Sequence, residues 1–298
     1  MIYTLTFNPA IDYVVFLDGF MPGGINRTKR EAIQFGGKGV NVSVMLSRLG
    51  VDNTALGFAA GFTGAALCDH LEQSGIKADF VMLREGNTRI NVKVKAEVET
   101  EINGQGPMID DAALEALFDK LDRMTAGDTL ILAGSIPNTL PSDIYERIFA
   151  RYEGKGIRFV LDATKDLLAR CLKYRPFLIK PNNIELGELF DTVLTTDAQI
   201  IEAAGKLQQM GAVNVLVSMA GDGAILLDEN KKVHRIGVLK GSVVNSVGAG
   251  DSMVAGFVAG MEHSYEYALK LGTACGGATA FSEGLGERAL IDELFARL

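Results

Sequence analysis

The sequence predicts an α/β fold in which a mostly parallel sheet is covered by helices on both faces, giving three layers. Short apolar segments typical of buried strands alternate along the chain with longer segments of helical periodicity. Such alternation is typical of strands joined by right-handed helical crossovers. Glycine-rich turns stand where strands end and helices begin, which is where open α/β sheets bind ligands. No repeat, low-complexity tract or linker interrupts the 298 residues, so we expect one domain spanning 1–298.

Particular strands and helices are predicted from these patterns along the chain. The chain opens with strand-like alternation at Met1–Phe7. Buried strands are predicted at three places farther along: Thr129–Ala133, Ile157–Leu161 and Val213–Val217. Helical patterns lie around them: one capped by Asp110 and Asp111, one after Pro141–Asp143, and one from Ala198 to Met210. Strands buried on both faces are expected to be nearly continuously apolar, as these are.

Two stretches, 11–18 and 88–98, read as strands without the intervening helix of the main sheet. The second places apolar residues on one face and polar residues on the other. Its apolar positions are Ile90, Val92, Val94, Ala96 and Val98, and its polar positions are Arg89, Asn91, Lys93, Lys95 and Glu97. Such alternation predicts a sheet packed on one side and wet or ligand-facing on the other. We interpret these two stretches, together with residues 27–35, as a small lid with strands roughly at 11–18, 27–35 and 88–103. An ordinary edge hairpin is the alternative.

Composition excludes several classes of function. The net charge is −8 and the pI is about 5.1, with Lys and Arg scattered rather than clustered. This argues against a nucleic-acid or anionic-membrane partner. The three cysteines lie far apart without CxxC spacing, which indicates neither a disulfide framework nor a zinc site. With no signal-peptide pattern at the start and no long apolar run, we expect a cytoplasmic protein without a membrane span.

Common nucleotide-binding motifs are absent. The segment Gly248-Ala249-Gly250 continues with Asp251 instead of completing a GxGxxG fingerprint. In Gly36–Gly39 the lysine precedes glycine and not the Ser or Thr of a P-loop. Dinucleotide-binding and Walker-type sites are therefore not predicted.

The turn at 244–252 nevertheless favours phosphate chemistry. A strand end leads through small residues to Asp251 and then into an apolar helix. Unhindered backbone amides and the positive end of a helix attract an anion, and glycine lets a phosphate approach closely. Because Asp is also a favoured cap residue, Asp251 by itself is ambiguous.

Three other turns carry suitable groups. Gly36-Gly37-Lys38-Gly39-Val40-Asn41 opens an amphipathic helix, Lys180-Pro181-Asn182-Asn183-Ile184-Glu185 ends a strand, and Ser218-Met219-Ala220-Gly221-Asp222-Gly223 follows another strand. Each could be only a tight loop or a helix cap. Strand carboxyl ends gather the ligands of open α/β sheets, so several such turns together favour an active site.

These motifs together resemble the ribokinase-like (PfkB-type) carbohydrate kinases over essentially the whole chain. The segments that carry the resemblance are 36–41, 180–185, 218–223 and 247–252. Within the family the chain resembles the phosphosugar branch. Thr6–Asp12, Asn87–Lys93 and Ala133–Pro137 are typical of 1-phosphofructokinases and tagatose-6-phosphate kinases, and Thr88–Lys93 with Glu101–Gly104 leans toward the former. The resemblance implies a ribokinase-like α/β/α fold with a β-sheet lid.

The resemblance also implies roles for individual residues. Asp251 would be the general base, and the amides of Gly248, Ala249 and Gly250 would form an anion hole. Residues along the nucleotide would be Lys180, Ser218, Gly221, Gly223 and Gly250. Asn182 and Glu185 would help to position Mg²⁺, largely through water. Sugar contacts would come from Asp12, Asn41 and the backbone of Gly36 and Gly37, and contacts to the substrate's existing phosphate from Arg27, Lys38 and Arg89.

The expected reaction is ATP-dependent phosphorylation of fructose 1-phosphate at its 6-hydroxyl, giving fructose 1,6-bisphosphate and ADP. Tagatose 6-phosphate and fructose 6-phosphate are alternative acceptors. A non-catalytic sugar-phosphate sensor on the same fold is the alternative from another class. The cofactors implied are ATP and Mg²⁺, and the resemblance implies a homodimer formed through the lid.

Overall fold

A computed structural model describes residues 1–298, and it contains fourteen strands and ten α-helices. The strands are β1 (Ile2–Thr6), β2 (Ala10–Phe16), β3 (Arg30–Gly36), β4 (Asn53–Ala60), β5 (Lys77–Ala78), β6 (Val81–Leu83), β7 (Arg89–Lys95), β8 (Thr100–Asn103), β9 (Thr129–Ala133), β10 (Arg158–Asp162), β11 (Leu178–Ile179), β12 (Asn214–Ser218), β13 (Ala224–Leu227) and β14 (Val233–Ile236). The helices are α1 (Lys38–Arg48), α2 (Gly61–Gln73), α3 (Asp111–Leu121), α4 (Ile144–Tyr152), α5 (Lys165–Cys171), α6 (Asn183–Leu189), α7 (Asp197–Gln209), α8 (Ala249–Gly260), α9 (Tyr265–Ala280) and α10 (Arg288–Arg297).

Ten strands form the main sheet, in the order β14-β13-β12-β11-β10-β9-β1-β4-β5, with β6 pairing with β4. All of its pairs are parallel except β12–β13 and β13–β14, which are antiparallel. The predicted mostly parallel sheet is therefore confirmed. The predicted strand at Thr129–Ala133 matches β9, while β10 and β12 each begin one residue later than expected.

The two faces of the sheet carry separate cores, as strand β9 illustrates. Leu130 and Leu132 pack into a cluster with residues of α3 to α7, whereas Ile131 points to the opposite cluster with α1, α8, α9 and α10. Successive strand side chains alternate between faces, so a strand covered by helices on both sides is apolar at most positions. This confirms the three-layer α/β/α architecture.

A second sheet of four strands, in the order β3-β2-β7-β8, lies outside the main sheet. Its register sets Asp12 opposite Gln34 on one side and Asn91 on the other. The opposite face is apolar and includes the exposed side chains of Ile33, Ile90 and Ile102. The small sheet expected from alternation is confirmed, with the polar face toward the site described below. Of the residues predicted to form the lid strands, 17–18, 27–29, 88 and 96–99 lie outside the observed strands.

The helices of this fold are too short or too polar for a membrane span, since none combines the required length and apolar character.

Candidate active site

The start of helix α8 carries the group of unpaired amides that the sequence predicts. Gly248 caps the helix with φ of 81°, a left-handed conformation that glycine adopts without strain. The N–H groups of Gly248 and Gly250 donate to no protein acceptor, while that of Ala249 donates to Ser246 O at 3.3 Å. The turn therefore offers at least two free donors at the positive end of a helix, which is a site suited to an anion.

Asp251 lies in the first turn of α8 and is only 6% exposed. Asn41 Nδ2 donates to its Oδ2 atom at 2.8 Å, which ties the start of α1 to the start of α8. Burial, assisted by the charge of Asp162, raises the pKa of Asp251 to about 6, although the Asn41 hydrogen bond, Lys38 and Lys180 oppose this. A carboxylate with this pKa is ionised near neutral pH and is still basic enough to accept a proton.

A buried carboxylate, Asp162, joins two lysines at the carboxyl end of β10. Lys38 Nζ lies 3.2 Å from its Oδ2 atom, and Lys180 Nζ lies 3.5 Å from its Oδ1 atom. Burial alone would raise the pKa of Asp162, but Lys180 and Lys38 bring this pKa below its usual value. Burial would lower the pKa of Lys38, yet Asp162 and Asp251 raise it overall. These ion pairs therefore favour the charged forms of Asp162 and Lys38.

Sequence reasoning missed Asp162. Its signal was available, because Asp162 directly follows the buried apolar residues of β10 and so stands at a strand carboxyl end. The same rule had identified Lys180 after β11. The partner Lys38 lies 124 positions away in the chain, so only the folded structure pairs them.

The lid supplies Asp12 from strand β2. Asn91 Nδ2 donates to its Oδ1 atom at 2.8 Å, and Lys93 Nζ lies 3.0 Å from its Oδ2 atom. A Cβ atom at Gly36 would lie 3.7 Å from both Asp12 Oδ2 and Asn41 Oδ1. The structure therefore brings Asp12, Gly36 and Asn41 together, as the sequence predicts.

Gly37 leads into α1 with φ of 119°, and a Cβ atom there would lie 2.9 Å from Thr6 Cγ2 and 3.0 Å from Pro9 Cα. Only glycine fits this turn without strain. The turn sets Lys38 at the wall of the site.

A cavity of about 690 Å³ opens beside Lys38 and Asp162. Gly37 lines it together with polar side chains: Asn8, Lys38, Arg89, Ser135, Asn138, Ser142, Asp162, Thr164 and Arg170. Arg89 is held by a hydrogen bond from Nε to Asn8 O at 3.1 Å. Burial lowers its pKa, and Asp12 opposes that shift. This cavity has the volume and cationic lining for a small phosphorylated molecule.

The structure places Lys180, one of the residues predicted to lie along the nucleotide, close to Gly250. A Cβ atom at Gly250 would lie 3.2 Å from Lys180 Nζ, so the ammonium lies against the start of α8. Ser218 N donates to Pro181 O at 3.2 Å, next to Asn182. Gly221 lies in the turn that follows Ser218, and Gly223 begins the return to β13.

Asn182 and Glu185 form a capping box at the start of α6. Asn182 Oδ1 accepts from Glu185 N at 2.8 Å, and Glu185 Oε2 accepts from Asn182 N at 2.9 Å. The capping alternative that the sequence left open is therefore present. The same side chains keep free oxygen lone pairs, because each carboxylate or amide oxygen can accept more than one bond.

Arg27 is the predicted site residue that the structure does not bring to the others. It is exposed in the loop between β2 and β3 and does not line the cavity of this chain. Sequence reasoning also missed Ser135, Asn138 and Arg170 as cavity residues. Ser135 comes shortly after β9, at the carboxyl end of a strand, and this position could have identified it as a cavity residue.

Comparisons with known proteins identify the family of this chain. A profile of the family described as pfkB family carbohydrate kinase matches residues 5–291. The chain is 46% identical to a 1-phosphofructokinase from Bacillus subtilis (strain 168), over 99% of this chain and 97% of that protein. It is 40% identical to a D-tagatose-1-phosphate kinase from Bacillus licheniformis, over 100% of this chain and 98% of that protein.

A solved structure of phosphofructokinase-2 from Escherichia coli, in complex with substrates and products, superposes with a TM-score of 0.93. It is 26% identical, and the match covers 100% of this chain and 99% of that chain. The same enzyme has been solved in a tetrameric inhibited form. The family match spans nearly the whole length and includes every segment of the site, so the chain belongs to the pfkB family of carbohydrate kinases.

Proposed function

We propose that this protein is a 1-phosphofructokinase, which transfers the γ-phosphoryl group of ATP to the 6-hydroxyl of fructose 1-phosphate. The observation that carries the proposal is Asp251, buried and held by Asn41 at 2.8 Å, beside free amides at the start of α8. A base next to an anion hole is the arrangement that phosphoryl transfer to a hydroxyl requires.

Asp251 acts as the base in this proposal. Its carboxylate accepts the proton of the 6-hydroxyl as the oxygen attacks the γ-phosphorus and the bond to the β-phosphate oxygen breaks. Asn41 keeps one carboxylate oxygen in place and leaves the other to face the acceptor. Holding the reacting atoms at contact distance removes much of the entropy cost of a bimolecular step.

The amides of Gly248 and Gly250 are the donors to the transferred phosphoryl group. Lys180 adds a positive charge at the same place, since its ammonium lies against Gly250. Asp162 anchors Lys180 and Lys38 between the nucleotide and the acceptor. Ser218, Gly221 and Gly223 line the path of the nucleotide in this proposal. The Ala249 amide has a smaller part than expected, because Ser246 O already accepts from it.

Arg89 and Lys38 bind the existing phosphate of the acceptor. Both line the cavity, and Ser135 adds a hydroxyl donor there. Arg89 is held at its Nε by Asn8, which leaves the terminal nitrogens of its guanidinium for a bidentate contact with a phosphate. Asp12, Gly36, Gly37 and Asn41 bind the sugar hydroxyls.

The side-chain oxygens of Asn182 and Glu185 are suitable for binding Mg²⁺ as a partly hydrated ion. No group of three or more His, Cys, Asp or Glu side chains could hold a metal alone. Mg²⁺ often keeps several waters and is bound by one or two carboxylates together with substrate phosphates. Glu185 and Asn182 would hold it through water, and the bound ion would neutralise charge on the phosphates.

An acceptor panel tests the proposed reaction. ADP release is measured with fructose 1-phosphate, fructose 6-phosphate, tagatose 6-phosphate and tagatose 1-phosphate under identical conditions. We expect the highest kcat/KM with fructose 1-phosphate. Equal or better turnover of a tagatose phosphate would instead favour the second candidate, a tagatose-phosphate kinase, which the B. licheniformis relative supports.

Replacing Arg89 by alanine is expected to raise KM for the phosphorylated acceptor about 10- to 100-fold, because a buried charged contact to phosphate is lost. The kcat value should change less than KM, since Arg89 binds a group that does not react. Arg27→Ala is the matched comparison, because Arg27 is exposed in a lid loop. An Arg89→Ala enzyme with unchanged KM would contradict the phosphate role.

The decline of kcat at low pH should reflect protonation of Asp251. Its raised pKa of about 6 means that the base becomes protonated, and inactive, as the pH falls through this value. We expect kcat to decline about tenfold per pH unit below that point. The phosphate of a sugar phosphate also ionises with a pKa of about 6. A variant is therefore needed to separate protonation of Asp251 from protonation of the substrate. Asp162→Asn removes a charge that raises the Asp251 pKa and should move the decline to lower pH, whereas substrate ionisation would not move.

A homodimer formed through the lid is also proposed. The apolar lid face, which we define by Ile33, Ile90 and Ile102, has side chains between 44% and 62% exposed in the single chain. A contiguous exposed apolar surface of this kind is typical of an interaction site. Sedimentation at micromolar concentration should give about twice 31.9 kDa, and Ile33→Lys should give monomers. A wild-type protein that sediments only as a monomer would contradict the dimer.

A further inference from the structure

Residue Glu283 joins the lid to the body of the protein. It lies in the loop 281–287 between α9 and α10. Arg30, the first residue of lid strand β3, donates to both of its carboxylate oxygens, with Nη1–Oε2 at 3.0 Å and Nη2–Oε1 at 3.2 Å. The Arg30 guanidinium also lies over the Phe16 ring, 3.9 Å from its centroid. Arg30 is thereby held in the orientation that meets Glu283.

The backbone of Glu283 links the lid to the phosphoryl-binding turn. Its carbonyl oxygen accepts from Gln34 Nε2 at 3.3 Å and from Asn245 Nδ2 at 3.1 Å. Gln34 lies opposite Asp12 in the lid register. Asn245 Oδ1 accepts from Val247 N at 3.1 Å, immediately before the Gly248 turn. A continuous path of hydrogen bonds thus runs from the strand pair that carries Asp12 to the anion hole.

The rest of the loop 281–287 is tied firmly to the body. Arg48 donates to Leu285 O at 2.5 Å and to Gly286 O at 3.0 Å. Gly286 N donates to Thr279 Oγ1 at 2.9 Å, and Thr279 in turn bonds to Ser252, the neighbour of Asp251, at 2.7 Å. The loop is therefore a fixed platform, and the lid docks on it through residue 283.

We propose that Arg30, Gln34, Glu283 and Asn245 are positioning residues that couple lid closure over the acceptor to the arrangement of the phosphoryl-binding turn. The acceptor part of this proposal rests on the proposed function. A nucleotide that orders the turn should also favour the docked lid, and an acceptor that closes the lid should tighten nucleotide binding to the same extent. The Arg30 and Glu283 side chains are 49% and 68% exposed, so their pair adds little to folding in water. Its effect should appear in the coupling and not in overall stability.

The test compares Glu283→Ala and Gln34→Met with Lys29→Ala. Lys29 is a matched control, because it precedes β3 but pairs only with Asp18 of the lid. Hydrogen exchange of residues 30–36 is measured with and without a non-hydrolysable ATP analogue, in the absence of sugar. We expect the analogue to slow exchange in the wild type and in Lys29→Ala, and to do so much less in the other two variants.

Kinetics supply the second measurement. Glu283→Ala should raise the acceptor KM about 2- to 5-fold, the range of an exposed ion pair, at an unchanged melting temperature. The swapped pair Arg30→Glu with Glu283→Arg should recover most of this loss, because it restores the ion pair with its charges exchanged. A Glu283→Ala protein with full nucleotide-dependent protection of the lid, or a Lys29→Ala protein with equal loss, would overturn the proposal. If the wild type phosphorylated no sugar phosphate, the proposed function would fail, but the exchange experiment would still decide the coupling because it uses nucleotide alone.

Discussion

Replacing Asp251 by asparagine should lower kcat by about 10²- to 10⁴-fold, the contribution typical of a general base. Asparagine has nearly the same shape and can still accept the hydrogen bond from Asn41, so the site should keep its geometry. It cannot take a proton from the acceptor hydroxyl. The measurement is kcat with saturating ATP and fructose 1-phosphate. A variant with full turnover would remove the proposed mechanism but not the fold.

The same substitution should stabilise the folded protein at neutral pH. The pKa of Asp251 is raised from 3.8 to about 6, so the folded chain holds its proton more tightly than the unfolded chain does. Stability is therefore lost as the pH rises from 3.8 through about 6, where the unfolded chain has already released the proton. Asp251→Asn avoids this loss, which amounts to at most about 3 kcal/mol for a shift of about two pKa units.

Thermal melts at pH 7.5 and pH 4 measure this difference in stability. The variant should melt higher than the wild type at the first pH and close to it at the second. Asp52→Asn is a suitable control, because Asp52 is an exposed acid without an ion pair and its loss changes the net charge equally. An Asp251→Asn protein that melts lower at both pH values would contradict the pKa argument. A substitution that raises stability and lowers activity in this way is common at active sites.

Replacing Gly248 by alanine should lower kcat by about 10²- to 10³-fold, which is the cost of losing a preorganised anion-hole donor. The φ of 81° at this position disfavours any side chain. An added Cβ atom would also lie 2.8 Å from Leu285 Cδ2 and 3.5 Å from Asn41 Nδ2. The turn must therefore move, and its free amides would move with it.

Gly50→Ala separates backbone strain from displacement of the turn. Gly50 has a similar φ of 77° at the end of α1, and no atom lies within 4 Å of an added Cβ there. It should cost about 1–2 kcal/mol of stability and leave kcat unchanged. A second variant, Gly248→Ala with Leu285→Ala, removes the clash and should restore part of the activity. If Gly248→Ala kept kcat within about threefold of wild type, the anion-hole role of this turn would be wrong.

Local patterns were sufficient for much of the architecture. Strand β9 was located residue for residue from its apolar run, since a strand between two helical layers is apolar at most positions. Asp110 was identified as a cap and does accept from Ala113 N at 2.7 Å. These features depend on neighbours within a few positions in the chain, so the local sequence is informative about them.

Ambiguous local signals needed the folded structure. The segment Asn182–Glu185 suited both a capping box and a metal site, because the same oxygen atoms serve either purpose, and the structure contains the box. Arg27 has the chemistry to bind phosphate but lies away from the cavity of this chain. Residue type therefore defined what each side chain could do, without saying where it would be.

The sequence by itself determined the alternation of strands and helices, the glycine-rich turns and the kind of chemistry at several strand ends, because these follow from periodicity and from the conformations that glycine, proline and aspartate prefer. Only the tertiary structure decided which of those ends meet. Asp162 between Lys38 and Lys180, Asn41 on Asp251, and Arg30 on Glu283 each join residues that are far apart in the chain. Such contacts depend on how the sheet twists and how the helices pack across it, and no local pattern records that arrangement.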